Sequence, residues 1–225
     1  MSLAQVPLTL IAAATAKNGI GKSGGLPWPM LKKDMAYFAR VTKRVPPFTK
    51  SASNDESEED LKKQASRRNV VIMGRKTWDS IPQKFRPLKD RTHIVISSQD
   101  RSKLDPLPPD DVVVAADISS GLQSLQDLIQ AGKAPPVGRA FVIGGSSIYK
   151  AALELRQTNS ILLTRISKEY DCDTFFPESL GGDSSPSAWQ RASHTALKEF
   201  VGEDVDEGEV VDGDVGLDFQ LYQRS

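Results

Sequence analysis

Asp34 is where the chemistry of this chain starts. Leu31, Asp34, Met35 and Phe38 fall at spacings of three and four, so a helix would put them on one face. A carboxylate on an otherwise apolar stripe is expensive to bury alone. It must be hydrogen-bonded, neutralised or put to use. As a structural group it would cap backbone N–H groups near the helix start; as a functional one it would offer its charge to a ligand. Its place just past a glycine-rich stretch, Gly19-Ile20-Gly21-Lys22-Ser23-Gly24-Gly25, favours the second.

Two further stretches fit an anionic ligand. Met73-Gly74-Arg75-Lys76-Thr77-Trp78 follows an apolar run and reads as the start of a helix. Glycine permits close approach, a helix N-terminus favours an anion, and Arg75 and Lys76 add positive charge. Ile143-Gly144-Gly145-Ser146-Ser147 repeats this arrangement after another apolar run, with serines that can donate to phosphate. A plain tight turn would use the same residues. Two strand-to-helix anion sites in one sheet suit a long, diphosphate-bearing ligand better than either does alone. Arg86 and Arg91 flank Pro87-Leu88-Lys89-Asp90. Either could clamp a carboxylate with two parallel hydrogen bonds, or pair with an acid such as Asp90.

Other motifs fail on context. Gly19 to Gly24 match the G-x-G-x-x-G pattern, but Leu26-Pro27-Trp28-Pro29 follows. A helix cannot continue from those glycines through two prolines, so the dinucleotide fingerprint is incomplete. Gly21-Lys22-Ser23 looks like the tail of a P-loop, yet Ala16 stands where its first glycine belongs. The only histidines, His93 and His194, are far apart, and there is one cysteine, Cys172. No zinc spacing and no Gly-x-Ser-x-Gly elbow exists, and no metal is expected.

The elements that must hold these residues alternate. Short apolar runs at 8–14, 70–73, 92–96, 112–114, 140–143 and 161–164 read as strands, and 31–42, 119–130 and 146–155 as helices, the last capped by Ser146 and Ser147. The runs lack in/out alternation, which implies strands covered on both faces. The expected class is therefore α/β with a largely parallel sheet. Two segments depart from the pattern. Residues 46–68, polar and with an acidic cluster, read as a surface insertion with a short helix expected near 58–65. Residues 203–218 are acidic and glycine-rich with no Lys or Arg, and read as a hairpin tip leading into an antiparallel or edge strand at 217–222. Neither splits the chain, so residues 1–225 are read as one domain. A length of 225 residues buries roughly 70% of the extended chain's surface. Lys+Arg and Asp+Glu are both 29, which argues against nucleic-acid or anionic-membrane partners. One cysteine and no basic-then-apolar leader fit a cytoplasmic protein.

In sum of order and spacing, the chain resembles dihydrofolate reductase from about residue 8 to 223. The motifs that carry the likeness are Ile11 to Ala14, Gly19-Ile20-Gly21, Leu26-Pro27-Trp28-Pro29, Asp34, Val71-Ile72-Met73-Gly74-Arg75-Lys76-Thr77-Trp78, Ser80-Ile81-Pro82, Arg86-Pro87-Leu88, Arg91, Ile143-Gly144-Gly145-Ser146-Ser147-Ile148-Tyr149, Thr164-Arg165 and Asp173-Thr174-Phe175-Phe176-Pro177. The insertions and the Arg-Pro-Leu segment look like the eukaryotic, fungal form. The resemblance implies an eight-stranded, mostly parallel sheet with an antiparallel last strand and helices on both faces. It implies a monomer that reduces 7,8-dihydrofolate to tetrahydrofolate with NADPH, binds antifolate inhibitors and serves one-carbon metabolism.

By position, the resemblance makes Asp34 the ionisable group of the pterin pocket, supported by Thr164, with Trp28 holding an ordered water nearby. Ile11, Met35, Phe38, Ile81 and Leu88 would line the pterin and aminobenzoyl pocket, and Arg91 would pair with the glutamate α-carboxylate. Ala13, Ile20, Gly21, Gly74, Arg75, Lys76, Thr77, Ser97, Ser98, Ile143, Gly144, Gly145, Ser146, Ser147 and Ile148 would serve the cofactor, with Tyr149 near the nicotinamide. Residues 18–27 resemble the mobile loop over that ring. Met35 stands where phenylalanine is common, Phe85 where a small polar residue is common, and Ser98 where an arginine can grip the 2′-phosphate. The nearest rival is a reductase of the same fold acting on a riboflavin-pathway pyrimidine; Asp34 and Arg91 favour folate.

Overall fold

In the computed structural model, residues 2–47, 66–178, 180 and 188–224 are described. Most of the insertion read at 46–68, and the short helix expected near 58–65, lie outside the described residues. Among the described residues the strands are β1 (Leu8–Thr15), β2 (Gly19–Gly21), β3 (Arg68–Gly74), β4 (Arg91–Ile96), β5 (Val112–Ala115), β6 (Val137–Val142), β7 (Thr158–Ile166), β8 (Thr174–Phe175), β9 (Trp189–Arg191), β10 (Glu209–Asp212) and β11 (Val215–Arg224). The α-helices among the described residues are α1 (Lys32–Lys43), α2 (Arg75–Ser80), α3 (Ile118–Gln130), α4 (Ser146–Glu154) and α5 (His194–Val201).

The main sheet runs β10-β11-β7-β1-β6-β3-β4-β5, and the short β9 pairs with β11. Every pairing from β7 across to β5 is parallel, whereas β11 is antiparallel to β7, β9 and β10. Eight strands in a row, mostly parallel, thus end in an antiparallel hairpin rather than in one reversed strand. The acidic segment is the reason: β10 folds back on β11 through a turn at Gly213-Asp214.

Each strand serves two cores because successive side chains leave it on opposite faces. In β3, Val70 and Ile72 join Leu8, Leu10, Leu122 and Leu125 beneath α3 and α4. Val71 and Met73 join Ile11, Tyr37, Val41, Leu197 and Val201 beneath α1 and α5. Five consecutive β3 residues, 69–73, are buried, which is why the sequence shows an unbroken apolar run. Each large side chain sealed in this way contributes roughly 1.5–3 kcal/mol.

Helix ends are set locally. α3 opens with a capping box between Asp117 and Ser120. α4 does not start as the sequence suggested: Gly145 is its N-cap and no side chain caps it. Ser146 Oγ instead donates to the Phe175 carbonyl at 2.6 Å. α5 carries two apolar residues that face the core, Leu197 and Val201, too few for its period to show in the sequence.

Candidate functional site

α1 presents Asp34, Tyr37, Val41 and Thr42 inward. Asp34 is 9% exposed. Burial raises its pKa above the ordinary carboxylate value, hydrogen bonding by Thr164 pulls it back, and the charge of Asp212 pushes it further up. Thr164, 3% exposed in β7, stands between Ala13 of β1 and Phe219 of β11 in the sheet register. Tyr149, from α4, donates from its hydroxyl to the Ile11 carbonyl at 2.8 Å; burial, and then the Asp34 charge, raises its pKa. β1, β7, α1 and α4 therefore meet at one carboxylate. Trp28, 5% exposed, packs edge-on against Tyr170 at 5.9 Å. Its indole N–H is buried with no acceptor among the described residues.

The apolar residues expected around this carboxylate separate into a wall and a rim. Phe38, Ile81 and Ile143 pack partly buried on the core beneath α1, together with Ile11. Leu88 is half-buried. Met35 is 44% exposed, at the open rim rather than in the wall. It stands one position past Asp34, about 100° around the helix, toward solvent.

Arg91 is half-buried where β4 begins. Its Nε donates to the Lys89 carbonyl at 3.1 Å and its Nη1 to Thr42 Oγ1 at 2.8 Å. Thr42 in turn donates to the Phe38 carbonyl. Asp90, the neighbouring acid, pairs with Lys43 at 2.8 Å instead. No carboxylate pairs with Arg91 among the described residues, so the rest of its planar fork remains for a ligand. Asp34 and Thr42 lie eight residues apart on α1, roughly 12 Å along its axis. One helix thus carries a carboxylate near one end and positions a guanidinium near the other.

His93 supports the same corner. It accepts the Leu88 N–H at its Nε2, 3.0 Å away, and meets Trp78 edge-on at 6.0 Å. Burial, then the Arg91 charge, lowers its pKa from 6.5 to about 4. The depressed value means that the neutral ring belongs to the folded state. Its stabilisation is complete above pH 6.5 and is lost as pH falls toward 4. Urea midpoints should therefore drop across that window, and His93→Gln, which still accepts from Leu88 but does not titrate, should flatten part of the drop. An unchanged pH dependence in that variant would assign the acid sensitivity elsewhere.

The second half of the site lies at the carboxyl ends of β3 and β6, which are neighbours. Gly74 N–H donates to the Gly144 carbonyl at 2.8 Å, so the two strand-to-helix turns are joined. Gly144 has φ +120°, and a Cβ there would face Thr77 Oγ1 and Tyr149 Oη at about 3.5 Å. Only glycine keeps both the backbone angle and the open space. The helices that follow, α2 and α4, have no side-chain cap at their N-termini. Their first N–H groups are left for an acceptor. Arg75, read as a positive charge for the anion, pairs with Asp79 at 3.0 Å. Ser97 is buried and accepts from Gln99 N–H at 3.0 Å, and Ser98 is exposed.

A family model described as dihydrofolate reductase matches residues 57–203. The dihydrofolate reductase of Pneumocystis carinii is 36% identical over 98% of both chains. That of Cryptococcus neoformans is 38% identical over 89% of this chain and 87% of its own. A solved structure of Schistosoma mansoni dihydrofolate reductase covers 98% of this chain and 100% of that one, with TM-score 0.70 and 30% identity. The chain belongs to the dihydrofolate reductase family. Fungal dihydrofolate reductases among the relatives agree with the type read from the insertions.

For a dihydrofolate reductase, residues 18–27 are tied down in an instructive way. The sequence reads them as a flexible, glycine-rich loop, and within it Gly19–Gly21 form β2, paired with β8. Lys22 and Gly25 exchange backbone hydrogen bonds, Ser23 N–H donates to Asp173, and Lys22 pairs with Asp171. The segment from 171 to 175 comes so close that a Cβ on Gly19 would meet Cys172 Sγ at 2.4 Å. Arg165 anchors the start, donating to the Thr15 carbonyl and Asn18 Oδ1. Four neighbours of the candidate site were not assigned to it from the sequence: Thr42 under Arg91, His93 under Leu88, Tyr37 behind Asp34, and Asp212.

Proposed function

We propose that the chain reduces 7,8-dihydrofolate to 5,6,7,8-tetrahydrofolate with NADPH, as a single-domain, cytoplasmic monomer that supplies one-carbon metabolism and binds antifolates. The observation that carries the reading is the buried Asp34 carboxylate, held by Thr164 on an apolar face, with the β4 guanidinium of Arg91, paired with no carboxylate among the described residues, positioned by Thr42 at the far end of the same helix. A pterin presents an amidine-like edge to a carboxylate, and a glutamyl tail presents a carboxylate to an arginine. Among the described residues, no helix is long and apolar enough to cross a membrane.

The residues present fit a dinucleotide. Uncapped N-termini of α2 and α4 and the open cradle at Gly144-Gly145 would hold the diphosphate, with Thr77 and Ile148 beside it. Arg75 and Lys76 would meet the 2′-phosphate. When bound, the nicotinamide supplies hydride to C6 of the substrate. The protein's part is to orient and to manage a proton. Asp34 accepts two N–H groups of the pterin edge and fixes the ring against Ile11 and Phe38. Its negative charge favours the substrate protonated at N5. Trp28 offers its unpaired N–H near that edge, and Tyr149 ties the floor of the site to Ile11. Steady oxidation of NADPH by the purified protein only when dihydrofolate is present supports this reading. No turnover with dihydrofolate, and turnover with a riboflavin-pathway pyrimidine, would overturn it.

Cofactor preference gives a second test. Arg75→Ala should raise the KM for NADPH roughly tenfold and leave that for NADH nearly unchanged, as loss of a charge-assisted contact predicts. The Asp79 pair shares the guanidinium, which holds the effect to the low end. Equal effects on both cofactors would remove Arg75 from the phosphate site.

A further inference from the structure

α1 begins without a cap of its own. Leu31, at its N-cap position, has no side-chain acceptor, so the first N–H groups of the helix that carries Asp34 need one from elsewhere. It comes from 179 residues away: Lys33 N–H donates to Asp212 Oδ2 at 2.6 Å. Lys33 precedes Asp34 directly. The position of Asp212 is fixed by register, since β10 pairs with β11 and β11 with β7, where Phe219 lies opposite Thr164. Phe219 also rests on Tyr37 at 4.3 Å between ring centres.

At its other end α1 is gripped by the same acidic segment. Glu203 pairs with Arg40 and with Arg44, both at 3.0 Å. Between these clamps the helix and the segment stand apart across a cavity of about 250 Å³, lined by Lys32, Lys33, Tyr37, Arg40, Glu203 and Val210 among others. The segment therefore acts on α1 at its two ends and not by continuous packing, and Asp212 is the contact at the reactive end.

We propose that Asp212 is a positioning residue for Asp34: it caps the first turn of α1 and keeps a second negative charge beside the buried carboxylate. The inference rests on the reductase reading for its catalytic meaning. The groups that face Asp34 are Thr164 from β7, Tyr37 from α1, Tyr149 from α4 and Asp212 from β10, with Lys32 and Lys33 on the first turn. Thr164 lowers the carboxylate's pKa, whereas Asp212 raises it. The negative field of the two carboxylates keeps a substrate nitrogen beside them more basic, which favours the step that needs a proton.

Two variants separate cap from charge. Asp212→Asn keeps an oxygen that can accept from Lys33 N–H but removes the charge; Asp212→Ala removes both. Carbon-13 carboxyl NMR of the ligand-free protein should show Asp34 titrating at lower pH in both variants. The fall of turnover with rising pH should begin correspondingly earlier, and high salt should move the wild type toward the Asn variant. Only Asp212→Ala should also lose roughly 2–4 °C in Tm. Superimposable Asp34 titrations in wild type and Asp212→Asn would overturn the proposal, as would a Tm loss in both variants without a titration shift. The titration needs no turnover, so failure of the reductase reading would show separately, as an inactive wild type.

Discussion

Asp34→Asn should lower kcat for dihydrofolate by roughly 10²–10⁴, the range for losing acid–base assistance, while the melting temperature stays level or rises. The amide matches the carboxylate in size, but it replaces one acceptor with a donor aimed at the pterin's own N–H groups. The fall should be smaller at low pH, where solvent supplies N5-protonated substrate, so the wild-type-to-mutant ratio should shrink from pH 8 to pH 5. The stability half follows from linkage. Burial raises the folded pKa above the unfolded one. The native state then binds more protons than the unfolded chain, and stability is lost as pH rises through that window. At neutral pH the charged group is therefore a burden on the fold, and removing the charge relieves it. Near-normal kcat, or a deficit explained by a lower Tm, would make Asp34 a structural residue.

Arg91→Leu should raise the KM for dihydrofolate by roughly 10–100-fold and leave kcat within a few-fold, the pattern of a group that holds ground and transition states alike. The guanidinium lies far from the carboxylate along α1, and its present bonds to Lys89 and Thr42 aim it without spending the whole fork. A substrate analogue lacking the α-carboxylate should bind wild type and mutant equally. Discrimination between them that survives the substitution would show that Arg91 serves β4 and α1 rather than the ligand. Arg91→Lys should recover little, because a point charge does not reproduce two parallel hydrogen bonds.

Strand positions and helix starts were legible where one local rule acted alone. Unbroken apolar runs announced β3 and β7 because both their faces are covered, and the two glycine turns announced their own place at the strand ends. Asp34 was legible because a carboxylate among Leu31 and Phe38 violates the pattern around it. Spacing put Met35 on the same helix face as Asp34 but could not tell that it stands exposed at the rim while Asp34 is buried. Ser146 and Ser147 looked like caps because their type is right, but the local chain turns at Gly145 and Ser146 spends its hydroxyl on Phe175. β2 was hidden because its partner, β8, is short and distant, and Asp212 because a helix cap ordinarily comes from the residue before the helix. Those contacts depend on register across the sheet, which no window of sequence contains.

The order of strands also sets a timetable for synthesis. β1 is made first, yet its neighbours are β6 and β7: Leu8 pairs with Ala140 and with Thr158. At ordinary elongation rates the wait between them is roughly 7–30 s. Through that interval Leu8, Leu10 and Ile11 have no sheet to enter, and the nascent chain carries an exposed apolar strand edge of the kind that chaperones shield and that seeds aggregation. Asp34 likewise stays solvated until Thr164 emerges, so its burial is deferred to the last stage of folding, when the rest of the sheet is already in place to receive it.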